Sequence, residues 1–385
     1  GLHPMGMFDP NLRYNQYLRE QGYVSDNPWN DFVISALNDA GDVVSGFYMR
    51  NAHLPARVSA EHSETAYMTR RAIDFIREAG DEPWSLHLSY IKPHWPYMVP
   101  SPYHSMYGVE DILPAVRSDE ERADPHPVVK AFMNHGESVV LSDDAARQNV
   151  IPTYMGLVKE IDDHVGHLMT ALSDLGRSGD TLIVLTSDHG DYLGDHWLGE
   201  KELFHEPSVR IPLIVADPSE SADLSRGCAS QALVEGIDLI PTFIEVLGGD
   251  PHQPWLEGRS FLDILHGRDA ESRDFVVAEL DYFARKARLE LKVAADRAKG
   301  WMVRSERWKY VFYEGFDSQL FDLEGDPNEL VDRASDPSCQ GILDEHRDRL
   351  FHWFRCRKST VTVDYAYLDT RHEFATRGGF IFGEW

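Results

Sequence analysis

The chain is poor in cysteine, in positive charge and in long apolar runs, and each shortage excludes something. Three cysteines occur in 385 residues, Cys228, Cys339 and Cys356. None has CxxC spacing, so neither a disulfide framework nor a cysteine-type zinc site is indicated. Lysine and arginine number 37 against 64 aspartates and glutamates, a formal charge of −27. Such a surface repels phosphate backbones and argues against a broad nucleic-acid face. No stretch reaches the apolar length of a membrane span. No basic-then-apolar leader opens the chain, and position 1 is Gly rather than Met, so it need not be the gene's first residue. The expectation from these shortages is a cytoplasmic protein with neither nucleic acid nor membrane as partner.

What is present is ample for a core: 42% hydrophobic and 11% aromatic residues. The length fits a large α/β domain with a smaller companion. "SETAYMTRRAIDFIREAG" predicts a helix over 63–80, capped by Ser63, stopped by Gly80 and striped by Ala72, Phe75, Ile76 and Ala79. "WSLHLSYI" (84–91) alternates like a strand and breaks into the proline-rich loop "KPHWPYMVP". Residues 100–147 read as a polar surface excursion. A helix is expected over 153–176, its core stripe formed by Val158, Ile161, Val165, Leu168, Leu172 and Leu175 and its Asp162, Asp163, His164 and His167 solvated. "TLIVLT" (181–186) and "IPLIVADP" (211–218) suit buried strands of a parallel sheet, with a helix at 235–249 between turns. Beyond Arg268, the stretches 300–315 and 318–329 predict a small antiparallel sheet, followed by a helix near 342–354 and an aromatic tail.

At the end of "TLIVLT" stands "SDHG". Sites in parallel sheets form beyond the carboxyl ends of strands, where Asp188 and His189 fall. A hard oxygen beside an imidazole nitrogen suits Mn²⁺, Mg²⁺, Ca²⁺ or Zn²⁺. A capping aspartate beside an ordinary histidine reads equally well from these two residues alone, and two donors are too few to cage an ion.

The longer stretch "SDHGDYLGDHWLGEKELFHE" resembles the C-terminal signature of the sulfatase family, within the alkaline-phosphatase-like superfamily. "SYIKPHWPYMVPSPYHSMY" resembles that family's second active-site loop, and "MVRSERWKYVFY" with "QLFDLEGDPNE" its small C-terminal sheet. The Asp-His pair, the loop wording and the tail are most similar to the phosphonate monoester hydrolase branch.

The resemblance implies an alkaline-phosphatase-like α/β fold, a mostly parallel sheet flanked by helices. The α/β domain would cover residues 1–268, a small sheet-plus-helix subdomain 269–358 and an extended arm 359–385. Asp188 and His189 would be metal ligands, with Mn²⁺ or Ca²⁺ foremost and Zn²⁺ or Mg²⁺ compatible. Lys201 would contact the transferred group's oxygens, and His94 would face the leaving oxygen as a proton or hydrogen-bond donor. Lys92 and His205 would line the pocket, and Asp195 and His196 would serve the turn. The implied partners are a small anionic ester substrate and further copies of the chain, joined through the C-terminal arm into a homo-oligomer.

The chain departs from the family at the nucleophile and at the early metal ligands. The family's nucleophile is a Cys or Ser in a C-x-P/A-x-R motif, the Cys becoming formylglycine, and none of Cys228, Cys339 or Cys356 has that context. The early aspartate ligands are missing too. In the family these groups precede the region matching position 1. The expectation is therefore a fragment lacking its leading segment, a chain completed by a second one, or a degenerate relative. The function read from the sequence is metal-dependent hydrolysis of phosphonate, phosphate or sulfate esters, with a catalytically inactive binding or assembly protein as the alternative.

Overall fold

The computed structural model describes residues 10–268 and 273–357. The chain forms two compact units built from interleaved segments. The first comprises residues up to 117, 133–181 and 191–200, and the second 118–132, 182–190 and 201 onward. The domain divisions after 268 and 358 border or enter stretches outside the described residues, and the arm 359–385 lies wholly outside them.

In the first unit, helix α1 (Arg13–Glu20) and helix α2 (Glu64–Ala79) enclose a core of Tyr14, Leu18, Trp29 and Tyr67. A two-stranded antiparallel ribbon, β1 (Ser35–Leu37) and β2 (Val43–Ser45), belongs to the same unit. The reading of α2 holds at both ends. The Ser63 hydroxyl accepts the Ala66 N–H at 3.1 Å, and Gly80 ends the helix at φ +56°. Such a cap satisfies one of the orphan amides of the first turn.

The long helix α3 begins earlier than expected and covers Asp144–Asp174. Its buried face is rotated from most of the expected stripe, of which Leu172 is buried as expected. Val150, Thr153, Leu157 and Glu160 are buried, whereas Val158 is 46% exposed. Gly156 gives the reason: a Cβ there would lie 2.4 Å from the Tyr103 carbonyl oxygen. The backbone approach through Gly156 turns the 153/156/157/160 face inward and carries Glu160 with it.

Two other expectations differ locally. Residues 84–91 keep the alternation, with Trp84, Leu86, Leu88 and Tyr90 half-buried between exposed neighbours, yet form no strand. A strand needs a hydrogen-bonding partner, and none pairs with this stretch among the described residues. The supposed excursion 100–147 contains short helices at Asp119–Ala123, Pro127–Met133 and Gly136–Leu141, with Val128, Phe132 and Leu141 buried.

In the second unit, β3 (Ile183–Thr186) pairs with β4 (Leu213–Ala216), but antiparallel. The connection carries only the one-turn helix α4 (Glu206–Val209) and a 3₁₀ turn, and no long crossover helix returns the chain in parallel. With β4 its one partner among the described residues, β3 is half-buried rather than enclosed. Helix α5 (Leu239–Val246) follows. The C-terminal sheet is antiparallel in the order β5 (Phe275–Asp281), β6 (Lys299–Ser305), β7 (Trp308–Tyr313), β8 (Gln319–Asp322). Helix α6 (Gln340–Cys356) packs on it through Leu350 against Val303, Tyr310 and Leu320. No helix among the described residues is long and apolar enough to cross a membrane.

Candidate active site

The expected site residues divide between the units. Asp188, His189, Lys201 and His205 belong to the second; Lys92 and His94 belong to the first.

In the second unit, β3 delivers the chain into Ser187–Gly190. Gly190 is required by close approach, since a Cβ would meet the Pro207 carbonyl oxygen at 1.9 Å. In its place the Gly190 N–H donates to the Ser208 carbonyl at 2.7 Å. The Ser208 hydroxyl in turn donates to the Lys201 carbonyl. Asp188, His189 and Lys201 are thereby brought onto one hydrogen-bonded assembly of turns. The Asp188 side chain is 89% exposed and His189 is mostly covered, with His189 Nε2 3.7 Å from Asp188 Oδ1. His189 Nδ1 faces the Gly190 carbonyl at 2.7 Å, and a carbonyl can only accept, so Nδ1 carries the proton. Nε2 is the ring nitrogen on the Asp188 side. A backbone-anchored Nδ1 is how ligating histidines are commonly oriented. The pair supplies one oxygen and one nitrogen donor of the kinds a divalent ion takes. His205 is buried, its ring 5.6 Å from that of Phe321, packing on the C-terminal sheet.

In the first unit, Lys92 is buried and its ammonium donates to the Pro96 carbonyl at 2.6 Å, closing the 92–96 loop from within. Burial lowers its pKa, against the pull of Glu64 and Glu160. His94 Nδ1 lies 2.7 Å from the Trp95 carbonyl and therefore donates to it. Nε2 can then donate only from the doubly protonated ring. Beneath the loop, the buried Glu64 accepts the Trp29 indole N–H at 2.7 Å. Glu160, 1% exposed, is pushed up to about 7, chiefly by burial.

Two residues not singled out from the sequence complete the first unit's loops. The Tyr97 hydroxyl donates to Asp191 Oδ2 at 2.7 Å, and Asp191 Oδ1 accepts the Leu193 N–H at 3.1 Å. Burial, then the Asp191 charge, holds the Tyr97 phenol far above its ordinary pKa, so it stays a donor. Their signal was positional: Tyr97 stands three residues after His94, and Asp191 directly after Gly190. Asp195 and His196 form a 3₁₀ turn, with Asp195 Oδ1 accepting the Val116 N–H at 2.9 Å and the His196 N–H donating to the Val116 carbonyl at 2.8 Å.

Comparison with known proteins bears on the family and the fold. The Sulfatase family profile matches residues 9–249, and the profile for the C-terminal part of N-sulphoglucosamine sulphohydrolase matches residues 194–355. The chain belongs to the sulfatase family. This sulfatase-family chain is 30% identical over 371 residues to the "Multifunctional alkaline phosphatase superfamily protein PehA" of Trinickia caryophylli, covering 92% of the chain and 70% of that protein. It is 31% identical over 304 residues to the choline-sulfatase of Rhizobium meliloti, covering 75% of the chain and 55% of that protein. Among solved structures, the phosphonate monoester hydrolase SpPMH from Silicibacter pomeroyi superposes with a TM-score of 0.80 at 25% identity, over 94% of this chain and 72% of that one. The phosphonate monoester hydrolase of Agrobacterium radiobacter gives 0.78 at 25% identity, over 91% and 75%. The fold is therefore alkaline-phosphatase-like, with the small C-terminal antiparallel sheet, and the family is one of ester hydrolases.

Proposed function

We propose that this chain contributes metal-binding and anion-binding groups to a site that hydrolyses a small anionic ester, a phosphonate or phosphate ester foremost and a sulfate ester second. The observation that carries the reading is the assembly in which Gly190 and Ser208 join the Asp188–His189 pair to Lys201. The similarity to phosphonate monoester hydrolases favours phosphorus over sulfur.

In this reading Asp188 and His189 hold a divalent ion, Mn²⁺ or Ca²⁺ foremost, and sulfatase-family proteins are generally metal-dependent. The ion supplies Lewis acidity toward the ester oxygens. The Lys201 ammonium binds and orients the anionic group and stabilises the charge that develops on it. The role that the family resemblance gives His94 is that of a proton donor, and with Nδ1 committed to Trp95 that proton would come from Nε2. Lys92 holds the loop that presents His94, and His205 anchors the turn beside Lys201.

The nucleophile is not among these residues. The C-x-P/A-x-R pattern does not occur in the 385 residues, and that favours one second reading, a non-catalytic binding or assembly protein. Assay of the intact protein on an aryl phosphonate and an aryl sulfate, with and without a chelator, decides between them. Chelator-sensitive turnover supports the hydrolase; metal-replete protein inert on both esters refutes it.

A further inference from the structure

Lys309 sits at an unusual place for its type. It lies within strand β7, fully buried at 0% exposure. A lysine is enclosed in this way only when its charge is met from all sides. Its ammonium lies 2.6 Å from Glu329 Oε1 and 2.8 Å from Glu206 Oε1, and it donates to the Phe204 carbonyl at 2.9 Å. Arg304 on β6 adds a second positive charge, 3.5 Å from Glu206 Oε1. Two cations thus face two carboxylates. Burial pushes the Glu206 carboxyl up, but Lys309 and Arg304 outweigh it and hold the group below its ordinary pKa.

Two of the contacts in this cluster grip backbone on either side of His205. Lys309 takes the Phe204 carbonyl, and Glu329 Oε2 accepts the Glu206 N–H at 2.6 Å. Glu329 itself is 1% exposed and held at φ +54°, in a turn closed by its N–H on the Asp326 carbonyl. From Glu206 the path continues through α4. Ser208 donates its hydroxyl to the Lys201 carbonyl and accepts the Gly190 N–H on its own carbonyl. The cluster, the Lys201 turn and the Asp188–His189–Gly190 turn form one continuous hydrogen-bonded path within one compact unit. An apolar side chain could fill the volume of Lys309 without loss of stability. It could not fix a chosen carbonyl and a chosen amide at defined points.

We infer that Lys309 is a positioning residue: an ionic clamp by which the C-terminal sheet sets the place of Lys201 and, through Ser208 and Gly190, of Asp188 and His189. Its catalytic consequence rests on the function proposed above; the clamp itself does not.

The test uses Lys309→Met, Lys309→Arg and a triple variant, Lys309→Met with Glu206→Gln and Glu329→Gln, which removes Lys309 together with both carboxylates it meets. Amide hydrogen exchange is followed at Gly190 and Glu206 and across β5–β8. The clamp predicts that in the triple variant Gly190 and Glu206 exchange about tenfold faster or more, while the β5–β8 amides keep their protection. In the intact protein, kcat on an aryl phosphonate falls about tenfold or more with KM nearly unchanged, and Lys309→Arg recovers part of the loss. A folded triple variant with wild-type exchange at Gly190 overturns the inference. So does unfolding of both Met-bearing variants, which would make Lys309 a purely structural residue. If the wild-type protein cleaves neither ester, the proposed function fails, and the exchange measurement still decides the clamp.

Discussion

Glu160→Gln should make the folded chain more stable at alkaline pH and nearly unchanged in acid. The carboxyl is 1% exposed on the inward face of α3, and one of its oxygens, Oε1, has no hydrogen-bond partner. Burial is the main cause of its rise from 4.5 to about 7; Ser63 and Lys92 oppose the rise, and Glu64 adds to it. Because the folded carboxyl holds its proton more tightly than the unfolded one, the native state is favoured while both are protonated. That advantage is complete below pH 4.5 and is lost as pH rises through 7, where the buried group must ionise in place. At about 1.4 kcal/mol per pH unit, the gap corresponds to roughly 3 kcal/mol. Glutamine mimics the protonated acid in shape and does not titrate, and Lys92 keeps Glu64 and the Pro96 carbonyl as partners. Urea denaturation of both proteins should therefore show the variant about 3 kcal/mol more stable at pH 8 and within about 1 kcal/mol at pH 5. A difference independent of pH would refute the reasoning, because it would mean that Glu160 titrates alike in both states.

Gly190→Ala should remove the Gly190–Ser208 bond, because the peptide oxygen of Pro207 cannot yield to a Cβ at 1.9 Å. A loss of about 1–3 kcal/mol in denaturation is expected, and one within about 0.5 kcal/mol would show that the turn relaxes freely. Deletion after Lys358 removes the aromatic arm, whose residues lie outside those described; sedimentation should then show a smaller assembly, and an unchanged mass would remove the arm from the oligomer.

The parts of the molecule legible in the sequence are those set by local chemistry. Ser63 and Gly80 mark α2 because capping and a left-handed stop are decided within one turn. The short strands β7 and β8 show as short apolar runs between turn residues, and Asp188–His189 shows as a polar stop to an apolar run. What escaped depends on partners distant in sequence. The rotation of α3 follows from Gly156 meeting Tyr103, which no helical periodicity contains. Residues 84–91 carry a strand's alternation without a neighbour to bond among the described residues. The burial of Lys309 depends on Glu206, about a hundred positions earlier, and on Glu329 being brought against it. The Tyr97–Asp191 bond joins residues 94 positions apart for the same reason.

The central claim, that Lys201 serves an anion-binding site beside a metal held by Asp188 and His189, is tested most directly by steady-state hydrolysis of an aryl phosphonate by the intact protein and its Lys201→Ala variant, with folding checked by circular dichroism. The account predicts a fall in kcat of about 10²-fold or more in a folded variant, the scale of losing one preorganised charge contact. A folded Lys201→Ala protein that turns over at the wild-type rate would contradict it.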